Sequence, residues 1–264
     1  MLRLYKTRVG RYRRNQYAGI ATGVLLTLLG ADAGADQVTV AVASNFTAAM
    51  QRLARDFEQA SSHRVVASFG ATGKLYAQIK NGAPFDALLA ADDQTPARLE
   101  RENSGIAGTR FTYAIGRLAL WSPKPDVVDD QGEVLTRGTF ARLAIANPKT
   151  APYGAAAEQA MRKLGVRQVL APKLVYGENI AQTFQFVYTG NAQLGFVALA
   201  QVRALPAAKA GSHWIVPDTL HDPLRQDAIL LTDKPAARAF LDYLRSPRAR
   251  AIIGELGYLA PPQE

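Results

Sequence analysis

The sequence predicts an α/β protein of two lobes, each a mixed sheet flanked by helices, with the chain crossing twice between them. Three observations predict it. From Asp36 onward, short β-branched runs alternate with amphipathic stretches, the pattern of parallel strands joined by helices. A length of 264 residues, 48% hydrophobic and 20% charged, is enough for one or two packed cores. The first α/β unit spans only about eighty residues, and the last helices need a core to cover, so the simplest path returns the chain to that unit.

Taken in order, Val38 to Ala43 reads as a buried strand. Thr47 to Ala60 reads as a helix, because Phe46, Met50, Leu53 and Phe57 recur at three- and four-residue spacing on one face. Arg64 to Phe69 is a second strand, Lys74 to Asn81 a short helix, Ala87 to Ala90 a third strand and Gln94 to Glu102 a third helix. Thr112 to Trp121 is one long β-prone run. Beyond it Arg142 to Ala146, Lys173 to Tyr176 and Leu194 to Ala198 read as strands, separated by helices at Gly154 to Leu164 and Ile180 to Tyr188. Asp227 to Leu231 is strand-like, and helices at Ala236 to Leu244 and Pro247 to Glu255 close the chain. This reading divides the chain into residues 36–114 plus 226–264 for lobe 1 and 115–225 for lobe 2, with hinge crossings near Tyr113 to Gly116 and Pro223 to Asp227.

Composition excludes several function classes. Cysteine is absent, which removes disulfides, thiol catalysis and a lipid-bearing cysteine. His63, His213 and His221 stand too far apart for the usual metal-ligand spacing. The formal charge of +9 is concentrated at the start: of 31 basic and 22 acidic residues, six bases and one acid lie in residues 1–35. The remaining 25 bases and 21 acids leave +4, with no run of five like charges, so no nucleic-acid partner is expected. Residues 1–35 read as a signal peptide. A basic stretch to Arg14 precedes an apolar run from Ala18 to Leu29, then small residues ending Ala33-Gly34-Ala35. Twelve apolar and small residues fall short of the ~20 that cross a bilayer. The mature protein is therefore expected to be exported and soluble.

Chemistry is sought at strand-to-helix junctions, where the first N–H groups of a helix lack partners and the dipole is positive. Four junctions are built alike, namely Ser44-Asn45-Phe46-Thr47, Gly70-Ala71-Thr72-Gly73-Lys74, Asn147 to Gly154, and Tyr176-Gly177-Glu178-Asn179-Ile180. Each alone is ordinary capping. Two in each lobe, at the carboxyl ends of parallel strands, would aim four helix starts into one cleft, an arrangement suited to an oxyanion. Side chains of Ser44, Asn45 and Thr72 and peptide N–H groups of Thr72, Tyr153 and Ile180 are the candidate donors.

Competing motifs fail on inspection. A phosphate loop would need Gly at Ser68 and Ser or Thr at Leu75. Asn45-Phe46-Thr47 matches a glycosylation acceptor but sits at a helix start rather than in an open loop. Asp92-Asp93 and Asp129-Asp130 read as turn or cap residues, not metal ligands. Ser44 has no nucleophile-elbow context, so a periplasmic hydrolase using it is possible but unsupported.

Val38-Thr39-Val40-Ala41-Val42-Ala43-Ser44-Asn45-Phe46 resembles the first strand and ligand loop of the molybdate-binding periplasmic proteins that serve ABC-type importers, a branch of the type II solute-binding proteins. Similar segments follow in order: Ser68-Phe69-Gly70-Ala71-Thr72-Gly73, Gly82-Ala83-Pro84-Phe85-Asp86, Ala146-Asn147-Pro148, Ala151-Pro152-Tyr153-Gly154, Gly195-Phe196-Val197 and Phe240-Leu241-Asp242-Tyr243-Leu244. The resemblance implies a two-lobed type II periplasmic binding protein that is not an enzyme. It implies molybdate as ligand, with tungstate beside it, bound through its oxygens without a resident metal or cofactor, and delivery by a monomer to the permease of an ABC importer. Sulfate, phosphate or a small organic anion is the alternative ligand. Carried over by position, Ser44, Thr72, Tyr153 and Ile180 are ligand residues, the last two through backbone donors. Where many members place a ligand tyrosine, this chain has Ala198, and Asn45 and Tyr153 are expected to supply the missing donor. Lys74 is expected to point away, since such sites hold the anion with neutral donors.

The mature chain should begin at or within a few residues of Asp36, after the Ala33/Ala35 pair. Mass spectrometry of the exported protein checks this, and a mature chain retaining Val24 to Leu29 would contradict it.

Overall fold

A computed structural model describes residues 36–261; the segment read as a signal peptide, with its Ala35 cleavage point, lies outside them. The first half of the described chain runs β1 (Gln37–Ala43), a 3-10 turn (Ser44–Phe46), α1 (Thr47–Ala60), β2 (Arg64–Gly70), α2 (Thr72–Lys80), β3 (Ala87–Leu89), α3 (Gln94–Arg101) and β4 (Phe111–Gly116). It continues with β5 (Leu118–Ser122), α4 (Val134–Arg137), β6 (Leu143–Ala146), α5 (Pro152–Lys163), α6 (Arg167–Leu170), β7 (Leu174–Gly177) and α7 (Ile180–Tyr188). It ends with β8 (Leu194–Ala198), α8 (Leu199–Arg203), β9 (Ser212–Ile215), β10 (Leu224–Leu230), α9 (Pro235–Leu244) and α10 (Pro247–Glu255).

These strands form two mixed five-stranded sheets, in the orders β2-β1-β3-β10-β4 and β7-β6-β8-β5-β9. In the first, β1 runs parallel to β2 and β3, and β10 is antiparallel to both neighbours. In the second, β6 runs parallel to β7 and β8, and β5 is antiparallel to β8 and β9. The α/β class with a mixed sheet in each half is thus as the sequence predicts.

Local chemistry explains the elements. β1 is rich in Val and Ala because helices cover both of its faces, so Val38, Val40, Ala41, Val42 and Ala43 are all buried. β2, at the sheet edge, instead leaves Val66 and Phe69 exposed. Met50, Leu53 and Phe57 lie on the buried face of α1, as their spacing predicts, and Phe46, at the end of the preceding turn, is buried with them. The C-terminal helices contribute Phe240, Leu241, Ile252 and Ile253 to the same apolar cluster as β1 and α1.

The structure departs from the sequence reading at three places. Thr112 to Trp121 is not one strand: the chain leaves the first sheet at Gly116 and enters the second at Leu118. The short helices α4, α6 and α8 and the strand β9 carry too few residues to show a hydrophobic period. β10 begins at Leu224, so the lobe divisions placed at 114/115 and 225/226 fall inside β4 and β10, both strands of the first sheet.

Asp86 fastens the first sheet. Only 2% exposed, it accepts hydrogen bonds from Thr39 N at 2.8 Å and Thr232 Oγ1 at 2.9 Å, and pairs with Lys234 Nζ at 2.9 Å. Burial pushes its carboxyl pKa up, but the bonds from Thr39, Lys234 and Thr232 outweigh burial and hold it below the usual value. With the folded pKa depressed, the stability contributed by Asp86 is present above the ordinary carboxylate pKa of about 4 and is lost as pH falls through the lower folded value. Asp86→Asn should therefore lower stability by about 1.5–3 kcal/mol at neutral pH. The deficit should shrink as the pH drops below about 4 in thermal unfolding followed by circular dichroism.

Candidate functional site

The four junctions meet. The 3-10 turn Ser44–Phe46 follows β1, α2 starts at Thr72 after β2, α5 starts at Pro152 after β6 and α7 starts at Ile180 after β7. Between them lies a small, nearly filled pocket whose lining includes Ser44, Asn45, Thr72, Tyr153 and Ile180, otherwise only small apolar residues, and no charged side chain. All five residues expected from the sequence are brought together there. α5 can approach the end of β6 because residue 154 is glycine: a Cβ at Gly154 would fall onto the carbonyl oxygen of Ala146.

The polar atoms facing this space are of two kinds. Thr72 and Ile180 open their helices and Tyr153 is the second residue of its own, so their peptide N–H groups have no intrahelical acceptor. Ser44 Oγ is buried without a hydrogen-bond partner. Thr72 Oγ1 accepts from Ala91 N at 3.0 Å, which leaves its own proton to donate. Dipoles and donors of this kind favour an anion.

Asn45 is placed less simply. It caps nothing: α1 follows Phe46, and no side chain caps it. Its Nδ2 donates to Gln226 Oε1 at 2.9 Å and to Tyr258 Oη at 3.2 Å, while its Oδ1 is buried without a partner. Ala198, at the end of β8, is fully buried and does not line the pocket; its N–H donates to Gln201 Oε1 at 3.0 Å.

Behind the pocket Asn45 belongs to a buried polar network that sequence reasoning missed. Gln226, on β10, accepts from Asn45 and from Tyr113 Oη at 3.1 Å, and donates through Nε2 to Tyr153 Oη at 3.1 Å. Tyr113 Oη also donates to Ala90 O, and Tyr258 Oη to Asn45 O, both at 2.9 Å. Burial pushes the hydroxyl pKa values of Tyr113, Tyr153 and Tyr258 up, so all three are neutral donors at physiological pH. The five members come from five separate segments, and no local motif announces them. The one available signal is Gly116, a glycine inside a β-prone run, which marks close approach of other atoms. A Cβ there would fall into the Tyr153 hydroxyl and lie 2.5 Å from Gln226 Nε2.

The two sheets also meet at the rim. Gly73 N donates to Thr150 O at 2.9 Å, and Lys74 Nζ pairs with Glu178 at 3.0 Å, both ends well exposed. Lys74 does not line the pocket. A larger opening at one flank carries three carboxylates, Asp92, Asp93 and Asp222, against one cation, Lys149, and so suits an anion less well. Asp92 takes hydrogen bonds from Thr95 N and Thr95 Oγ1, and Asp129 from Gln131 N, Glu133 N and Val134 N, the local turn and cap roles expected of them.

Gly116→Ala should lower stability by about 1–3 kcal/mol in denaturant titration, the usual cost of overpacking. Gly254→Ala, where the added methyl meets open space inside α10, should be neutral or stabilising.

Comparison with known proteins agrees with this geometry. The family model for bacterial extracellular solute-binding proteins matches residues 38–259. A molybdate-binding protein ModA from Azotobacter vinelandii is 56% identical over 234 residues, covering 88% of this chain and 93% of the relative. The ModA of Rhodobacter capsulatus is 44% identical over 245 residues, covering 92% and 96%. The solved structure of an Azotobacter vinelandii periplasmic molybdate-binding protein superposes with a TM-score of 0.81 at 40% identity, covering 85% of this chain and 99% of that one. The chain belongs to the bacterial extracellular solute-binding proteins, and among them it stands with the ModA molybdate-binding proteins.

Proposed function

We propose that this chain captures molybdate in the pocket between its two sheets and, as an exported periplasmic protein, delivers it to the permease of an ABC-type importer. The observation that carries the reading is the convergence of unpaired N–H and O–H donors on a small pocket with no charged lining residue. The names of the relatives at 56% and 44% identity support the choice of molybdate. A tetrahedral dianion offers four oxygens as acceptors, and Ser44 Oγ, Thr72 Oγ1, the peptide N–H groups of Tyr153 and Ile180, and the Asn45 amide are the groups assigned to them. Fixed neutral donors select by size and oxygen position, whereas a cation attracts any anion. Tungstate, with the same shape and charge, should bind as well.

Two lobes, one built on each sheet, with the borders moved from 114/115 and 225/226 to the end of β4 and the start of β10, close on the ion by bending near Tyr113 to Gly116 and Pro223 to Asp227. The Gly73–Thr150 bond and the Lys74–Glu178 pair join the two sheets at the rim and would form on closure. A hydrolase at this site would need a base against Ser44. Its hydroxyl has no hydrogen-bond partner among the described residues, which favours binding over catalysis.

Thermal unfolding with molybdate, tungstate, sulfate and phosphate tests the reading. Molybdate at about a hundredfold over its Kd should add ~2.7 kcal/mol of stability, and sulfate and phosphate at the same concentration much less. No shift with any of the four would overturn it. Lys74→Ala should change molybdate affinity by only a few-fold, as an exposed ion pair contributes little; a loss of about a thousandfold would show that charge pairing holds the ion.

A further inference from the structure

Gln226 sits at the centre of the buried network, yet it does not line the pocket. In the order of bonds described above, three groups go unused, one of them the second proton of Gln226 Nε2. Asn45 Oδ1 has no partner, and the proton of Tyr153 Oη finds no acceptor among the described residues. Tyr113, with one proton, divides it between Ala90 O and Gln226 Oε1. With Nδ2 held by Gln226 and Tyr258, the end of the Asn45 amide left for the pocket is its carbonyl oxygen, which an oxyanion would repel.

A side-chain amide has a donor end and an acceptor end of nearly the same shape, so half a turn exchanges them without moving its neighbours. If both amides turn, every contact distance is kept and each bond reverses. Gln226 Nε2 then donates to Asn45 Oδ1 and to Tyr113 Oη, whose proton goes wholly to Ala90 O. Tyr153 Oη donates to Gln226 Oε1. Tyr258, with one proton, then divides it between Asn45 O and Asn45 Oδ1. The groups left over are the Asn45 N–H donors, now facing the pocket. Asn45 cannot turn alone, because its oxygen would then meet Gln226 Oε1, acceptor against acceptor.

We propose that Gln226 is a positioning residue for anion binding, whose amide, by turning together with that of Asn45, makes Asn45 present N–H rather than carbonyl oxygen to the ion. The proposal rests on the oxyanion reading of the pocket. It also accounts for an uncharged residue with both a donor and an acceptor at this point: an acceptor-only or apolar side chain permits one bond direction or none.

Calorimetric titration of molybdate into the parent, Gln226→Met, Asn45→Ala and the double variant tests it. Gln226→Met should weaken binding about 10- to 100-fold in the parent, the effect of one hydrogen bond to a charged group, and by no more than about twofold when Asn45 is already alanine. A merely structural role would give the same loss in both backgrounds. In the 15N-labelled parent, which needs no folded variant, the side-chain amide signals of both Asn45 and Gln226 should shift on saturation with molybdate. Additive losses, parent-like binding by Gln226→Met, or a Gln226 amide signal unmoved at saturation would each overturn the proposal while leaving the function intact. A parent that binds none of the oxyanions would overturn both.

Discussion

One hydrogen bond joins the two sheets beside the point where the chain passes between them, and it exists because residue 116 has no side chain. Gln226, carried by the last strand of the first sheet, reaches over Gly116 to the Tyr153 hydroxyl, carried by a helix of the second. Tyr153 also brings a peptide N–H to the pocket, so this one residue touches both the network and the pocket. The surroundings are apolar: Ala43, Ala71 and Ala91 of the first sheet pack in the same cluster as Tyr153 and Ile180 of the second. With little water near, each polar contact in the network is stronger, and any unpaired one costs more, than at the surface.

The helix starts were legible because their signals are local. The apolar spacing in α1, the Ser/Thr/Asn residues at the junctions and the small residues around Tyr153 are each read within about one turn of helix. That is why Ser44, Asn45, Thr72, Tyr153 and Ile180 could be gathered from sequence and do share one pocket. What stayed illegible is relational. β-propensity identified Thr112 to Trp121 as extended but carries no information about which sheet a residue joins, so the switch after Gly116 was invisible. Tyr113 and Tyr258 look like ordinary core aromatics, and Gln226 like any polar residue of a half-buried strand. Only their meeting in space distinguishes them.

Charge is distributed to match. The described ion pairs mostly have at least one exposed end, and Lys74, two residues from Thr72, is held at the rim by Glu178. The carboxylates of Asp92, Asp93 and Asp222 flank a different opening of the same interface. An anion entering the cleft would thus meet opposed fields at its mouth and only dipoles at its floor.

The position of β10 has a consequence for how the chain is made. This strand lies between β3 and β4, although more than a hundred residues separate it from either in sequence. While the polypeptide emerges from the ribosome, β3 and β4 have a gap between them that nothing earlier in the chain fills, and α9 and α10, which cover β1, come later still. Pairings this distant form slowly, and the first sheet can be completed only when nearly the whole polypeptide is available. The order of the strands therefore delays burial of the N-terminal half until the chain is nearly complete.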